Sequence, residues 1–523
     1  MRNYYQGSNS TSTRQPDEQL FFDKNGHLEF GPNDPENPKN YPFRRKCYIT
    51  AIAISLVMNA TFSSSAPSGS FEGISEDLHV STEAAGLVTT LFLLGYCAGP
   101  LFWAPLSEFY GRRWIFYTSF TIYLAFGFLC AFTPNFAGLL VGRFLTGTAA
   151  SAALTNAPGI IADIWGPVER GNVMILFATM TFVGPALGPV VSGFLQLKKT
   201  WRWTFYVLLW MAGTSEIMLI TLPETLPMIV LRNKARRIQN IPGKEGVLAP
   251  VEASDRSLAG IFKVALTRPW RLLIDPISFF VAIYYAVVYT LLYMLFSIYP
   301  IVFKQKRGWN AGVGELPLIG TVIGACIGGL ALFINSQIQL KKPQSRKPVP
   351  EDRLPGAMVG GVMFTVTIFW FAWTAEYDSV HWAFPTVAGT FLATSILLIF
   401  VAFINYIMDS YLMYAASAVA ANTILRSACA AVSPLFTQYM FDVLSVSGAG
   451  SLIGGIGMLL VPIPFVFYKY GGALRARSKL VPKDEPPLPH IDEEKAVDDI
   501  FLSQMFQKKK KLVEEPVGSE QMN

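Results

Sequence analysis

Residues 95–113 read GYCAGPLFWAPLSEFYGRR. The stretch begins as an apolar, glycine-punctuated run and ends in a turn that carries Glu108, Gly111, Arg112 and Arg113. A second apolar run, WIFYTSFTIYLAFGFLCAF, follows at once. Charges are expensive at bilayer depth, so a tight charged hairpin between two such runs lies at the water interface, joining two membrane helices. Gly111 gives the turn its backbone freedom, and the arginine pair favours the cytoplasmic face.

Composition agrees with that hairpin. Of 523 residues, 52% are apolar and 15% are charged, well below the roughly 25% charge of a soluble protein. Length alone allows about three soluble domains. The apolar residues instead fall in blocks of about 20, the span of a bilayer-crossing helix. Twelve spans are predicted, at 47–66, 84–104, 114–132, 137–161, 172–195, 204–222, 276–300, 314–335, 355–374, 383–407, 411–435 and 447–468. The fold class is therefore an all-α membrane protein. Loops assigned inside carry Arg112, Arg113, Arg170, the run Arg232–Arg237, the cluster Lys341–Lys347, and Arg475, Arg477 and Lys479. Loops assigned outside have only Lys198, Lys199, Arg202, Lys304, Lys306 and Arg307. This bias places both termini in the cytosol, and the net charge of +6 reads as topology rather than nucleic-acid affinity. Cys47, Cys97, Cys130, Cys326 and Cys429 lie in or beside apolar blocks without metal-ligand spacing. No metal, cofactor or disulfide is expected.

The chain divides into a disordered cytosolic tail (1–45), a six-helix bundle (46–223), a cytosolic central loop (224–275), a second six-helix bundle (276–470) and a second disordered tail (471–523). Asn9, in Asn-Ser-Thr, falls in the cytosolic tail and is not expected to be glycosylated. The central loop contains RNKARRIQNIPGKEG and shows no strong apolar period, so its basic run reads as a solvated anchor or a contact with anionic lipid. Six and six spans suit two pseudo-symmetric bundles with a site between them.

The segment Ala104–Arg113 resembles the signature loop of the major facilitator superfamily, usually G-x-L-a-D-r-x-G-R-R. Leu106, Ser107, Gly111, Arg112 and Arg113 follow it, while Ala104, Glu108 and Phe109 depart from the usual Gly, Asp and basic residue. Other segments are ADIWGPVERG (Asp163, Arg170, Gly171), WRW (Trp201–Trp203), LPET (Leu222–Thr225), PEDRL (Pro350–Leu354) and NYIMDSYLMYAASAVAANTILR (Asn405–Arg426). Together they are similar to the fungal twelve-helix drug:proton antiporters, which include cycloheximide, benomyl and fluconazole resistance pumps and polyamine exporters. The resemblance implies proton-coupled export of small lipophilic or cationic compounds (drugs, toxins, polyamines or secondary metabolites) across the plasma membrane by a monomer. The partners would be a small-molecule substrate, protons and the bilayer. It also implies a latch in which Glu108 and Arg112 pair with the loop around Asp163.

The fifth span holds VGPALGPVVSG, whose two Gly-Pro elements predict a kink and close helix approach. Gly184, Pro185, Gly188 and Pro189 resemble the G-P-x-x-G motif of the superfamily's antiporters, which favours export over import. In the fourth span, Leu139, Arg143 and Gly147 match the family pattern L-x-x-x-R-x-x-q-G, with Thr146 at the Gln position. A cation at that depth must face a cavity or a partner, and the resemblance gives Arg143 a part in proton coupling. A structural salt bridge is the other reading.

In the family's fold, helices one, four, seven and ten line the cavity. That places Asn59, Thr61 and Ser64, then Arg143 and Asn156, then Tyr285, Tyr289 and Tyr293 around it. The tyrosines recur every four residues on one helical face, either for stacking and cation–π contact with substrate or for helix packing. The coupling candidates are Arg143, Glu216, Asp409 and Arg426. Glu216 is the intramembrane acid, but its helix is expected to be peripheral, and Asp275 and Asp409 sit at cytoplasmic ends. Arg143's partner must come from another span, with Glu216 a candidate.

The chain has no G-x-x-x-x-G-K-[ST] loop for an ATP-driven pump. His27, His79, His381 and His490 are isolated, which excludes a histidine-rich membrane metalloenzyme; no enzymatic activity is expected. The remaining alternatives are a dedicated exporter of one secondary metabolite or organic acid, an importer, and a non-transporting nutrient sensor on the same fold.

Overall fold

Gly111 adopts φ 102°, a conformation open to glycine, and there the chain ends one membrane helix and begins the next, as the hairpin predicts. The computed structural model describes residues 20–23, 26–242, 246–252, 257–341, 349–478 and 480. The first bundle consists of α1 (Phe43–Ser65), a short α2 (Phe71–Leu78), α3 (Thr82–Tyr110), α4 (Arg112–Phe132), α5 (Phe136–Ile164), α6 (Pro167–Gln196) and α7 (Arg202–Leu219). Ser81 and Asn135 cap α3 and α5 by accepting from the amides of Ala84 and Gly138. Two helices between the bundles follow, α8 (Pro227–Gln239) and α9 (Leu258–Ile274). The second bundle is α10 (Pro276–Tyr299), α11 (Ile319–Lys341), α12 (Pro355–Glu376), α13 (Ala383–Tyr411), α14 (Ala415–Leu460) and α15 (Pro462–Arg477).

Ten helical stretches are by themselves long and apolar enough to cross a bilayer. The last, Ala415–Arg477, has 63 residues, about three times what a ~30 Å hydrocarbon core needs in one crossing. It reverses at Ser445 (φ 60°, ψ 174°). Past that point Gly450, Gly454 and Gly457 lie against Ala372, Phe369 and Phe364, so the second arm runs antiparallel to α12. Helix α7 falls outside the ten yet crosses the full depth of the bundle antiparallel to α1. Tyr48 meets Thr221 at 2.7 Å, Asn59 meets Ser215 at 3.3 Å and Ser70 meets Thr204 at 2.9 Å. With these two, twelve spans stand among the described residues. The bundles touch through α3 against α14 and α6 against α11. Helices α1, α6, α10 and α13 are the most buried spans, whereas α4, α12 and the last arm are more exposed. The exposed helices turn Trp114, Phe132, Trp373 and Leu459 outward, as lipid-facing helices do.

Three domain expectations need correction. Residues 20–45 are not disordered: strands β1 (Phe21–Phe22) and β2 (Leu28–Glu29) form an antiparallel hairpin. The central loop holds α8 and α9, and the second bundle continues to Arg477 rather than ending at 470. The tail and the loop complete one another. Leu28 joins Leu231, Ala235, Ile238 and Ala249 in a small core of their own, and its amide donates to the Leu248 carbonyl at 2.9 Å. Lys234, expected as a solvated anchor, pairs with Asp34 at 2.7 Å, and Arg237 pairs with Glu36. Leu231, Ala235 and Ile238 recur at helical spacing on α8, but the face they form is covered only when Leu28 packs on it. The expectations for residues 1–19 and 481–523, Asn9, the cluster 342–347 and Lys479 lie outside the described residues.

Candidate functional site

The tyrosine stripe of α10 lies at the seam between the bundles. Tyr293 shares a hydrogen bond of 2.8 Å with Ser64 of α1, and Tyr289 stacks edge-on against Tyr293, their ring centroids 5.2 Å apart. Tyr285 donates to the Phe400 carbonyl at 2.5 Å, and Phe400 of α13 meets Phe182 of α6 at 5.2 Å. The cation that sits against this stripe belongs to the chain itself. The Arg426 guanidinium lies 4.7 Å from the Tyr289 ring and 4.9 Å from that of Phe400. The site thus has aromatic walls and a fixed positive charge, all from helices at the centre of the molecule.

Arg143 occupies a second polar point, inside the first bundle. Gly147 has no side chain where a Cβ would come 2.2 Å from the Phe92 carbonyl, so α3 and α5 pack tightly. This close approach brings Val88 and Phe92 to Arg143. Its Nε donates to Val88 O at 3.0 Å, while Nη2 and Nη1 donate to Ser63 O at 2.9 Å and Ser63 Oγ at 3.3 Å. The guanidinium lies 4.1 Å from the centre of the Phe92 ring. Its partners are carbonyls and a hydroxyl of α1 and α3, not the expected acid. Glu216 instead accepts from Thr121 of α4 at 2.9 Å, so it is not Arg143's partner.

At the α3–α4 hairpin Arg112 reaches Asp163 at 3.3 Å and Ser107 at 2.6 Å. Glu108, expected in this latch, is exposed and has no partner among the described residues. Its place is taken by Glu224, from the LPET segment, which accepts from the amides of Arg112 (3.0 Å) and Arg113 (3.2 Å). These amides open α4, where an anion is favoured by the helix dipole. Leu106 and Arg170 are partly buried nearby in sequence.

Several cavity expectations are redirected. Asn59 accepts from Tyr123 at 2.9 Å and donates to Ser215, facing α4 and α7. Thr61 faces Gly184 of α6, where an added Cβ would come 2.1 Å from its hydroxyl oxygen. Asn156 lies 3.5 Å from Arg112 and belongs to the latch. Asp409 pairs with Arg353 at 2.9 Å on a half-exposed surface. The Gly-Pro elements lie directly on α1: a Cβ at Gly188 would meet the Ala66 amide at 2.8 Å, and Ser65 donates to the Pro185 carbonyl at 2.6 Å. Pro189 shares that segment, and its carbonyl accepts from Ser192 at 3.1 Å. A separate groove of about 700 Å³ opens between α1, α6 and α7, lined by Cys47, Met58, Leu176, Met180 and Met211 with Asn59 and Ser215 among them.

Sequence reasoning missed Glu315. It is 4% exposed, in the turn Val313–Leu318 before α11, and its Oε2 is buried without a hydrogen-bond partner among the described residues. Gly193 of α6 faces it, so the carboxyl lies at the outer seam between the bundles. Neighbouring Lys304 pairs with Glu72. At the first turn of a predicted span, Glu315 reads in sequence as an ordinary interface charge.

A profile described as the Major Facilitator Superfamily matches residues 52–434. Efflux pump FUB11 of Gibberella moniliformis is 39% identical, over 86% of this chain and 77% of its own length. The citrinin biosynthesis cluster MFS transporter mrr1 of Monascus ruber is 38% identical, over 87% of this chain and 92% of its own. Among solved structures, the xylose transporter XylE from E. coli superposes with a TM-score of 0.57 over 81% of this chain and 97% of its own. Identity there is 16%, so this likeness speaks for the fold alone.

Proposed function

The chain belongs to the Major Facilitator Superfamily, a family of transporters and not enzymes, and from that premise we propose that it is a proton-coupled exporter of small lipophilic compounds. Export is supported foremost by the seam between α1 and α6, where the antiporter-type glycines Gly184 and Gly188 lie against main-chain atoms of α1. The efflux pumps among its relatives agree in direction. The lipophilic preference follows from the apolar groove between α1, α6 and α7, which offers a binding surface at the depth of the membrane. The cationic half of the sequence expectation is not carried forward, because Arg143 and Arg426 place two fixed positive charges inside the bundles.

Glu315 is the carboxyl assigned to proton carriage. Its Oε2 is buried with no hydrogen-bond partner among the described residues and its side chain packs on Gly193, so gain of a proton is coupled to closing of the seam there. The protein works as a monomer in the cell membrane with both termini in the cytosol. The test is accumulation of a compound panel in a pump-deficient host, with and without a protonophore. Cells expressing the protein should accumulate less of some lipophilic compound, and the protonophore should abolish the difference. Glu315→Gln, at normal surface abundance, should lose pH-gradient-driven transport while keeping substrate exchange. Export that survives collapse of the proton gradient overturns the coupling.

A further inference from the structure

Arg426 is 8% exposed in the centre of the second bundle, yet none of its N–H groups has a hydrogen-bond partner among the described residues. Its Nε is fully buried and meets no acceptor. Tyr289 and Phe400 cover the guanidinium with their rings and satisfy none of its donors. Arg143, the other deep arginine, has three bonds to α1 and α3. A buried guanidinium stays charged and offers five donors in a plane, so leaving them empty is costly.

The acids that could neutralise it are committed elsewhere. Glu216 is held by Thr121, Asp409 by Arg353, and Asp275 by Tyr411 and Ser478. Glu315 lies at the outer seam. The charge therefore has no hydrogen-bonding or acidic partner among the described residues, and the rings of Tyr289 and Phe400 leave the edge of the guanidinium as the direction from which one can come.

We propose that Arg426, walled by Tyr289 and Phe400, is the subsite for the anionic group of the transported compound, and that the substrates are lipophilic organic anions of the carboxylate class. This rests on the export reading and narrows it. A planar carboxylate matches the guanidinium fork with two parallel hydrogen bonds. The aromatic rings accept the apolar body beside it. A cationic compound in the same place meets a like charge at close range and is rejected.

The test is binding to the purified full chain at pH 7.4, with three probes of one shape: 1-naphthoate, 1-naphthamide and 1-naphthylmethylammonium. The naphthoate should bind about tenfold or more tightly than the amide, the range of a hydrogen bond to a charged group, and the ammonium should not compete. Arg426→Gln should remove the preference for the acid while still binding the amide. Arg426→Lys, which keeps charge without the fork, should fall between them. Size-exclusion and thermal melting confirm that each variant is folded. Equal binding of acid and amide by the wild type, or an unchanged preference in folded Arg426→Gln, overturns the subsite. If Arg426→Gln does not fold, the wild-type ranking of the three probes decides alone. Efflux of the same probes from cells is read separately: acid-selective binding without export refutes the export reading and leaves the subsite standing.

Discussion

Ser64 of α1 and Tyr293 of α10 share a hydrogen bond of 2.8 Å across the seam between the two bundles. Ser64 donates its hydroxyl hydrogen to the Thr61 carbonyl of its own helix at 2.6 Å, so it accepts from Tyr293 and the contact is held in place from one side. Tyr293→Phe should remove about 1 kcal/mol from the state in which the bundles touch there. In a nearly balanced equilibrium that is about a fivefold change in population. Transport kinetics should change accordingly at unchanged surface abundance. Combining Tyr293→Phe with Ser64→Ala should cost no more than the larger single effect, because both remove one contact. Fully additive effects would show that the two residues act separately.

The latch at the α3–α4 hairpin predicts a contrast between neighbours. Asp163→Asn breaks a pair whose members are both largely buried, at 14% and 13% side-chain exposure; loss of a buried pair costs about 3 kcal/mol. It should slow transport strongly, and Arg112→Ala should match it. Glu108→Gln should leave transport near wild type, because Glu108 is exposed and has no partner among the described residues. Surface-labelled abundance beside transport rate measures both. A severe Glu108→Gln defect at normal abundance would mean that the latch is assembled differently.

Arg143→Ala should lose transport and thermal stability together, since it removes three bonds from a charged donor, each worth about 1.5–3 kcal/mol. Arg143→Lys keeps the charge but cannot reach two helices at once, so it should rescue only part of either loss. The assay is efflux in vesicles under an imposed pH gradient. Wild-type export by a well-expressed Arg143→Ala variant would show that the clamp is only packing.

Gly184→Ala should destabilise the first bundle by about 1–3 kcal/mol through overpacking. Its new methyl group would come within 2.1 Å of Thr61 Oγ1 and 3.1 Å of main-chain atoms of Met58 and Phe62. Thr61→Ala should relieve part of this, because only the side-chain clash is removed. Gly171→Ala is the control, with nothing within 4 Å of its added carbon. Thermal melting of the purified variants gives the ranking, and equal melting of the two alanine variants would refute the close approach.

The spans were legible because twenty apolar residues in a row have few other uses, and the hairpin at Gly111 was legible because its charges cannot enter lipid. The direction each polar residue faces was not. A membrane helix is apolar all round, so no polar face orients it. Asn156 therefore reads as a cavity residue yet faces Arg112, while Asn59 reads as part of a central cavity and instead lines the groove between α1, α6 and α7. Helix α8 was hidden for a different reason: its apolar positions are separated by Arg232, Lys234 and Arg236, and they become a core only when Leu28 arrives from more than 200 residues upstream. Arg143 reads in the sequence as a deep cation whose partner comes from another span, with Glu216 one candidate; the carbonyl acceptors it meets on α1 and α3 leave no mark in a sequence.

Two of the atoms that hold Arg143 are main-chain oxygens, of Val88 and Ser63. Every residue supplies such an oxygen, so substitutions at either acceptor position keep the bond so long as the helices stay in place. A mutational scan of α1, α3 and α5 should accordingly be lopsided, with position 143 intolerant while 88 accepts most apolar residues of similar size. Over evolutionary time the donor is pinned and its acceptors are free to drift, so covariation between them would carry almost no trace of one of the deepest contacts in the bundle.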